Sequence, residues 1–191
     1  MKVFVMVNNY KPVADSGNIG WYLLADSSVS NTGKPFYLPD NKGKTIVSLT
    51  GAIRILRLGK AVASKFASRY YSEIAPALHF RLPDFEKELI SEGLPGDASR
   101  NFDRALMVGE FFPIEKAGPL ELIVNGEKKN SFILDSLNKS VDEIFPMISN
   151  DNTIKMGDLI LPGLSGEIEL SEGDMLEVMA GGEKAFHVKV K

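Results

Sequence analysis

Apolar residues fall in short runs broken by turn residues, and few stretches carry a helical period. Val3 to Val7 is β-branched and apolar, which predicts a buried first strand. Residues 8–20 collect Asn, Pro, Gly, Asp and Ser, which is loop chemistry. Trp21 to Ala25 is a second apolar run, and Asp26 to Gly33 is polar and turn-rich. Phe36-Tyr37-Leu38-Pro39 is an extended lead-in ending at proline. Ala52 to Leu58 is strand-like with Arg54 facing outward, and Gly59-Lys60 turns the chain.

Ala61 to Tyr71 has helical composition, with Val62, Phe66 and Tyr70 on one face at four-residue spacing. Ile74 to Phe80 is extended and apolar. Pro83 suits the first turn of a helix running to about Glu92, where Gly93 stops it. Its buried stripe would be Phe85, Leu89 and Ile90. Leu120 to Val124 followed by Asn125-Gly126 predicts a hairpin, because Asn-Gly supplies the positive φ angles of a type I′ turn. Ser140 and Glu143 have the spacing of a capping box ahead of Val141, Ile144, Phe145 and Ile148, although Pro146 argues for a break. The last third returns to strands: Leu159 to Leu161, Met175 to Met179, then a Gly181-Gly182 turn into Ala185 to Val190, with His187 on the exposed side. The pattern predicts a β-rich α+β fold in a single domain, residues 1–191, with helices inserted between non-local strands.

Composition narrows the function classes. The 191 residues are 44% hydrophobic and 25% charged with a net charge of −3, ordinary for a soluble globular protein. Acidic and basic residues are interspersed, so nucleic acid is not an expected partner. No segment approaches a membrane span, and the N-terminus lacks the features of a signal peptide. Cysteine is absent, which removes disulfides, thiolate metal sites and cysteine nucleophiles. A cytoplasmic protein is expected.

Several segments, in order, resemble the fumarylacetoacetate hydrolase family. Met156-Gly157-Asp158-Leu159-Ile160, then Gly163, then Gly173-Asp174-Met175-Leu176-Glu177-Val178 resembles that family's C-terminal "GDLI-x-TGTP…GD-x-(I/L)-E" pattern. Leu58-Gly59-Lys60, Ala67-Ser68-Arg69-Tyr70-Tyr71 and the stretch from His79 to Asp84 resemble the segments leading to its "D-x-T-A-R-D" motif. Asn9-Tyr10, Gly93-Leu94-Pro95, Asn101-Phe102-Asp103 and Val124-Asn125-Gly126-Glu127 match in order. The resemblance covers nearly the whole chain. It implies a mixed β-roll, a homodimer, and a Mg²⁺ or Mn²⁺ site serving enolate chemistry on oxo-acids. A hard cation of that kind needs hard, anionic oxygen ligands.

The departures from the family pattern are concentrated at that site. Its Glu-x-Glu positions fall on or near Ser48 and Thr50, and no Asp or Glu occurs from Thr45 to Lys60. The motif's first Asp falls on His79. Hydroxyls and an imidazole do not replace charged oxygens for Mg²⁺, so no metal site is expected unless the family activity persists with Mg or Mn. The resemblance places Val13 at the lid His, Leu164 at the Thr and Ser165 at the Pro of "TGTP". It places Arg100 at a substrate-holding Lys, still able to grip a carboxylate.

The resulting expectation is a catalytically degenerate family member that binds a small anion, such as a carboxylate, or a protein partner. The alternative is an oxo-acid hydrolase, isomerase or decarboxylase with a remodelled site, using His79 as base and Arg100 with Arg54 as anion grips. A third reading borrows ligands such as Asp26 or Asp103. Tyr10 and Gly163 complete the candidate binding residues. Ordinary roles compete with each: His79 as a hydrogen-bonded core histidine, Ser48 and Thr50 as strand residues, Arg54 and Arg57 as solvated, Arg81 and Asp84 as an ion pair.

Overall fold

The computed structural model describes residues 1–13 and 17–191, so residues 14–16 of the predicted first loop lie outside the described residues. The first strands are β1 (Lys2–Val7), β2 (Gly20–Ala25) and β3 (Val29–Asn31), followed by the long β4 (Ile46–Arg54). After the short helix α1 (Ser64–Ala67) come β5 (Glu73–Arg81) and helix α2 (Pro83–Ser91). Then follow β6 (Leu106–Val108), β7 (Phe112–Pro113), β8 (Leu120–Val124) and β9 (Glu127–Phe132). Helix α3 (Val141–Ser149) leads to β10 (Leu159–Leu161), β11 (Ile168–Glu169), β12 (Met175–Ala180) and β13 (Glu183–Lys189). The class is β-rich α+β, a mixed half-barrel with few helices.

The larger sheet runs β2-β1-β10-β4-β5-β6-β3, with β11 also paired to β4 and β7 to β5. β1–β10 and β3–β6 are parallel and the other pairs antiparallel, so the sheet is mixed. The smaller sheet runs β13-β12-β8-β9. Side chains alternate across each strand. On one face of the larger sheet Phe4, Met6, Leu49, Ile53, Leu78 and Phe80 meet Leu122 and Val178 of the smaller sheet and Phe145 of α3. On the other face Val3, Val5, Ala52, Ala75, Ala77 and Leu161 form a second buried cluster. With both faces covered, β4 is buried from Ile46 to Ile53. Any polar side chain there must find its partners inside the protein.

Local signals explain several elements. The hairpin from β8 to β9 turns on Asn125 and Gly126 at φ 52° and 84°, as the type I′ reading required. Pro83 opens α2 and Gly93, at φ 75°, follows its end. The capping box at α3 is present in full, with the Ser140 hydroxyl and Glu143 carboxylate each bonded to the other's backbone N–H.

Four expectations need correction. The helix passes through Pro146, because burial of Ile144, Phe145 and Ile148 outweighs the lost backbone hydrogen bond. The strand predicted from Ala52 to Leu58 instead spans Ile46–Arg54, and Leu58 is exposed. The helix predicted over Ala61 to Tyr71 shrinks to Ser64–Ala67. Ala61 takes the left-handed conformation, and the Ala61 and Val62 N–H groups are bonded to the backbone and side chain of Ser149, which pulls the segment onto α3. Finally, α2 buries none of its residues and Ile90 is exposed, because the helix lies against the turn at 96–99 at the protein's rim. No described helix is long and apolar enough to cross a membrane.

Because its two reciprocal hydrogen bonds hold the start of α3, Ser140→Ala is expected to lower stability by about 1 kcal/mol in urea unfolding, with Ser140→Asp close to wild type.

Candidate functional site

Register brings the candidate residues together. In the antiparallel β4–β5 pair Ser48 lies opposite His79 and Ile46 opposite Arg81. Ser48, Thr50, His79 and Arg81 therefore share one face of the larger sheet, the face that carries Ala52, Ala75 and Ala77. Ser48, Thr50 and His79 are all fully buried.

Each is committed to a partner. The Thr50 hydroxyl donates to the Gly163 carbonyl at 2.6 Å. The Leu49 N–H donates to Ser165 Oγ at 2.8 Å, and the Ser165 N–H returns to the Leu49 carbonyl at 2.9 Å. These bonds clamp the 163–166 loop to β4. Space at Gly163 is tight, since a Cβ there would stand 3.0 Å from the Leu137 side chain and 3.2 Å from Tyr10. Asn9 ties the same region together by donating to the Pro162 carbonyl at 2.7 Å. Tyr10 is buried, stacked on Phe132, with its hydroxyl donating to the Ser131 carbonyl.

The imidazole of His79 bridges two partners. Its Nδ1 lies 2.8 Å from the Ala105 carbonyl, which only accepts, so Nδ1 carries the proton. Its Nε2 then accepts from the Tyr22 hydroxyl at 2.7 Å. Burial first, then the positive charge of Arg81, holds the imidazole pKa down to about 3, against an opposing pull from the Ala105 hydrogen bond. Burial likewise pushes the Tyr22 phenol up to about 12, although Arg81 and Arg100 pull it down. At neutral pH this is an uncharged histidine–tyrosine pair whose acceptor nitrogen is already used.

Two arginines flank the pair. Arg81 Nη2 donates to Ser48 Oγ at 3.2 Å and pairs with Glu167 at 2.8 Å. Arg81 therefore partners Glu167; Asp84 instead accepts from the Lys44 N–H and pairs weakly with Lys87. Arg100 lies over the Tyr22 ring at 4.5 Å and pairs with Glu86 at 3.3 Å. Arg54 is not part of this group. It lies on β4 about 20 Å along the strand from Ser48, beside Glu73 at 3.6 Å and Phe111 at 3.7 Å. Arg57 lies past the end of β4 and is exposed.

A groove of about 350 Å³ opens beside this cluster, lined by Val7, Tyr10, Val13, Arg81, Leu164 and Glu167 among others. Val13 and Leu164 are among the residues that line it. His79, Ser48 and Thr50 lie beneath its wall.

The donor set does not fit a hard divalent cation. Ser48 Oγ faces a guanidinium, the Thr50 hydroxyl is donated to a carbonyl, and the His79 acceptor nitrogen is taken by Tyr22. A cation at these positions would meet the positive charge of Arg81 with no carboxylate from β4 or from position 79 to offset it. Among the described residues, no three His, Cys, Asp or Glu side chains gather in a metal-binding group, so neither Asp26 nor Asp103 completes one. Sequence reasoning missed Tyr22 and Glu167, and it gave Arg81 the wrong partner. Glu167 reaches Arg81 across 86 positions, a contact that no local spacing signals.

The fold is that of fumarylpyruvate hydrolase from Pseudomonas aeruginosa in complex with Mn²⁺ and pyruvate, with a TM-score of 0.89 at 19% identity over 100% of this chain and 89% of that one. It is also that of 5-carboxymethyl-2-hydroxymuconate delta-isomerase from Mycobacterium smegmatis, with a TM-score of 0.86 at 18% identity, covering 99% of this chain and 78% of that one. In sequence the chain is 27% identical to mouse mitochondrial oxaloacetate tautomerase FAHD1 over 176 residues, 89% of this chain and 80% of the relative. No family model matches the chain. The chain therefore has the fold of fumarylacetoacetate hydrolase-like structures and is similar in sequence to an oxaloacetate tautomerase.

The buried histidine makes stability acid-sensitive. Its folded pKa near 3 lies below its ordinary 6.5, so as pH falls below 6.5 the unfolded chain takes up the proton first. The stability lost by pH 5 from this group is about 2 kcal/mol. In urea titrations at pH 7 and pH 5, His79→Gln is expected to lose correspondingly less than wild type between the two.

Proposed function

We propose that this protein is a family member that binds a small carboxylate without a metal and does not carry out metal-dependent oxo-acid chemistry. The observation that carries this reading is Arg81, whose guanidinium is held between Ser48 Oγ and the Glu167 carboxylate at the wall of the groove. In this site a fixed guanidinium supplies the positive charge that a cation would otherwise bring. A guanidinium recognises a carboxylate by paired hydrogen bonds in one plane. Ser48 and Glu167 both meet Nη2, and Nε is buried with no partner among the described residues, so Nη1 is the donor group left to meet a ligand.

Support also comes from the shape of the site. The loop at 163–166 is clamped onto β4 through Thr50, Leu49 and Ser165, so the groove wall is pre-formed. The relatives named above as a hydrolase, an isomerase and a tautomerase act on small acids, which agrees with an acid-sized ligand here. Arg100, by contrast, has its charge met by Glu86 and its face covered by Tyr22. It supports the site by position, through Tyr22.

In isothermal titration with EDTA present, pyruvate is expected to bind wild-type protein. Arg81→Ala should weaken that binding by at least about tenfold, as loss of a charged hydrogen-bonding group does. In EDTA-free buffer, added Mn²⁺ should leave the wild-type affinity unchanged, and no oxaloacetate or acylpyruvate turnover should appear above the buffer rate. Mn²⁺-dependent turnover would refute the proposal.

A further inference from the structure

We infer that the groove selects monocarboxylates with an apolar body, and that the ligand's carboxylate replaces Glu167 on Arg81. This rests on the carboxylate-binding reading above and adds the ligand class and the exchange.

Within the groove Arg81 and Glu167 form one ion pair at 2.8 Å. The two partners differ in freedom: the Arg81 side chain is 20% exposed and that of Glu167 55%. Arg81 is also held by Ser48 from the buried strand, whereas its carboxylate partner reaches it from the loop's outer end. An exposed ion pair of this kind is worth little in water, so a competing carboxylate can displace the glutamate at small cost.

The loop itself need not move. Ser165 is bonded to Leu49 in both directions, and β11 is paired to β4 through Ile168 and Val47 immediately after Glu167. Only the Glu167 side chain has to swing toward solvent. After the exchange its carboxylate still lies at the mouth of the groove.

That position decides the ligand class. Beside the polar Asn8 and Ser165, the groove offers Val7, Val13 and Leu164 as an apolar strip that suits a short carbon chain. A second carboxylate on the ligand would face the displaced glutamate. The lysines of the adjoining groove, Lys128 and Lys129, are already paired with Glu121 and Glu127. A second carboxylate in the groove therefore meets the like charge of Glu167, and the balanced lysine pairs next door add no net positive charge to offset it.

The test compares wild type with Glu167→Gln, an exposed substitution, by titration calorimetry in EDTA with 2-oxobutyrate and with succinate. Wild type is expected to prefer 2-oxobutyrate. Glu167→Gln should bind 2-oxobutyrate at least about fivefold more tightly, since it removes the internal competitor, and should narrow the preference over succinate. The exchange is refuted if Glu167→Gln matches wild type within about twofold while Arg81→Ala still abolishes binding, or if wild type prefers succinate. If neither compound binds either protein, the carboxylate-binding reading falls as well, which distinguishes the two failures.

Discussion

Everything at the site depends on the pairing of β4 with β5. Eight register pairs, from Ile46↔Arg81 to Ile53↔Ile74, set which side chains share a face, and both faces of this pair are covered by the protein. A slip of one residue would send Ser48, Thr50, His79 and Arg81 into the apolar core opposite and bring Leu49 and Leu78 into the polar cluster. The aromatic stack of Phe36 on Phe80, with ring centroids 3.9 Å apart, helps pin that register from the core side.

Such a buried polar face needs partners for most of its groups, and the pattern of partners gives the site its character, with the Nε atoms of Arg81 and Arg100 left unpaired. Thr50 and Ser165 spend their hydroxyls on the backbone of the opposing segment. His79 and Tyr22 satisfy each other without any net charge. The two flanking cations, Arg81 and Arg100, are each matched by a more exposed carboxylate. Three carboxylates in these places would make a cradle for a cation. The residues present make a wall that carries its own positive charge.

The fold was largely legible in the sequence, because its signals are local. The Asn125-Gly126 turn, the Ser140 capping box and the Pro83 helix start are each decided within a few residues. The order of motifs carried the resemblance. What was not legible followed from tertiary contacts. Burial held α3 through Pro146, and Ser149 gathered the segment after Ala61 onto that helix. At the site, His79, Ser48 and Thr50 could be placed by counting from matched motifs. The glutamate on Arg81 could not, since that pairing arises only when the loop before β11 returns to β4.

The grip of Arg81 on Ser48 also bears on how such a site could change over generations. Were carboxylates to appear at positions 48, 50 and 79, the guanidinium already there would pair with them before any cation arrived. The order of substitutions would then matter, since Arg81 must leave before acidic residues can serve a metal. A single interaction of this kind acts as a ratchet, making the path to a cation-binding site longer than those three positions suggest.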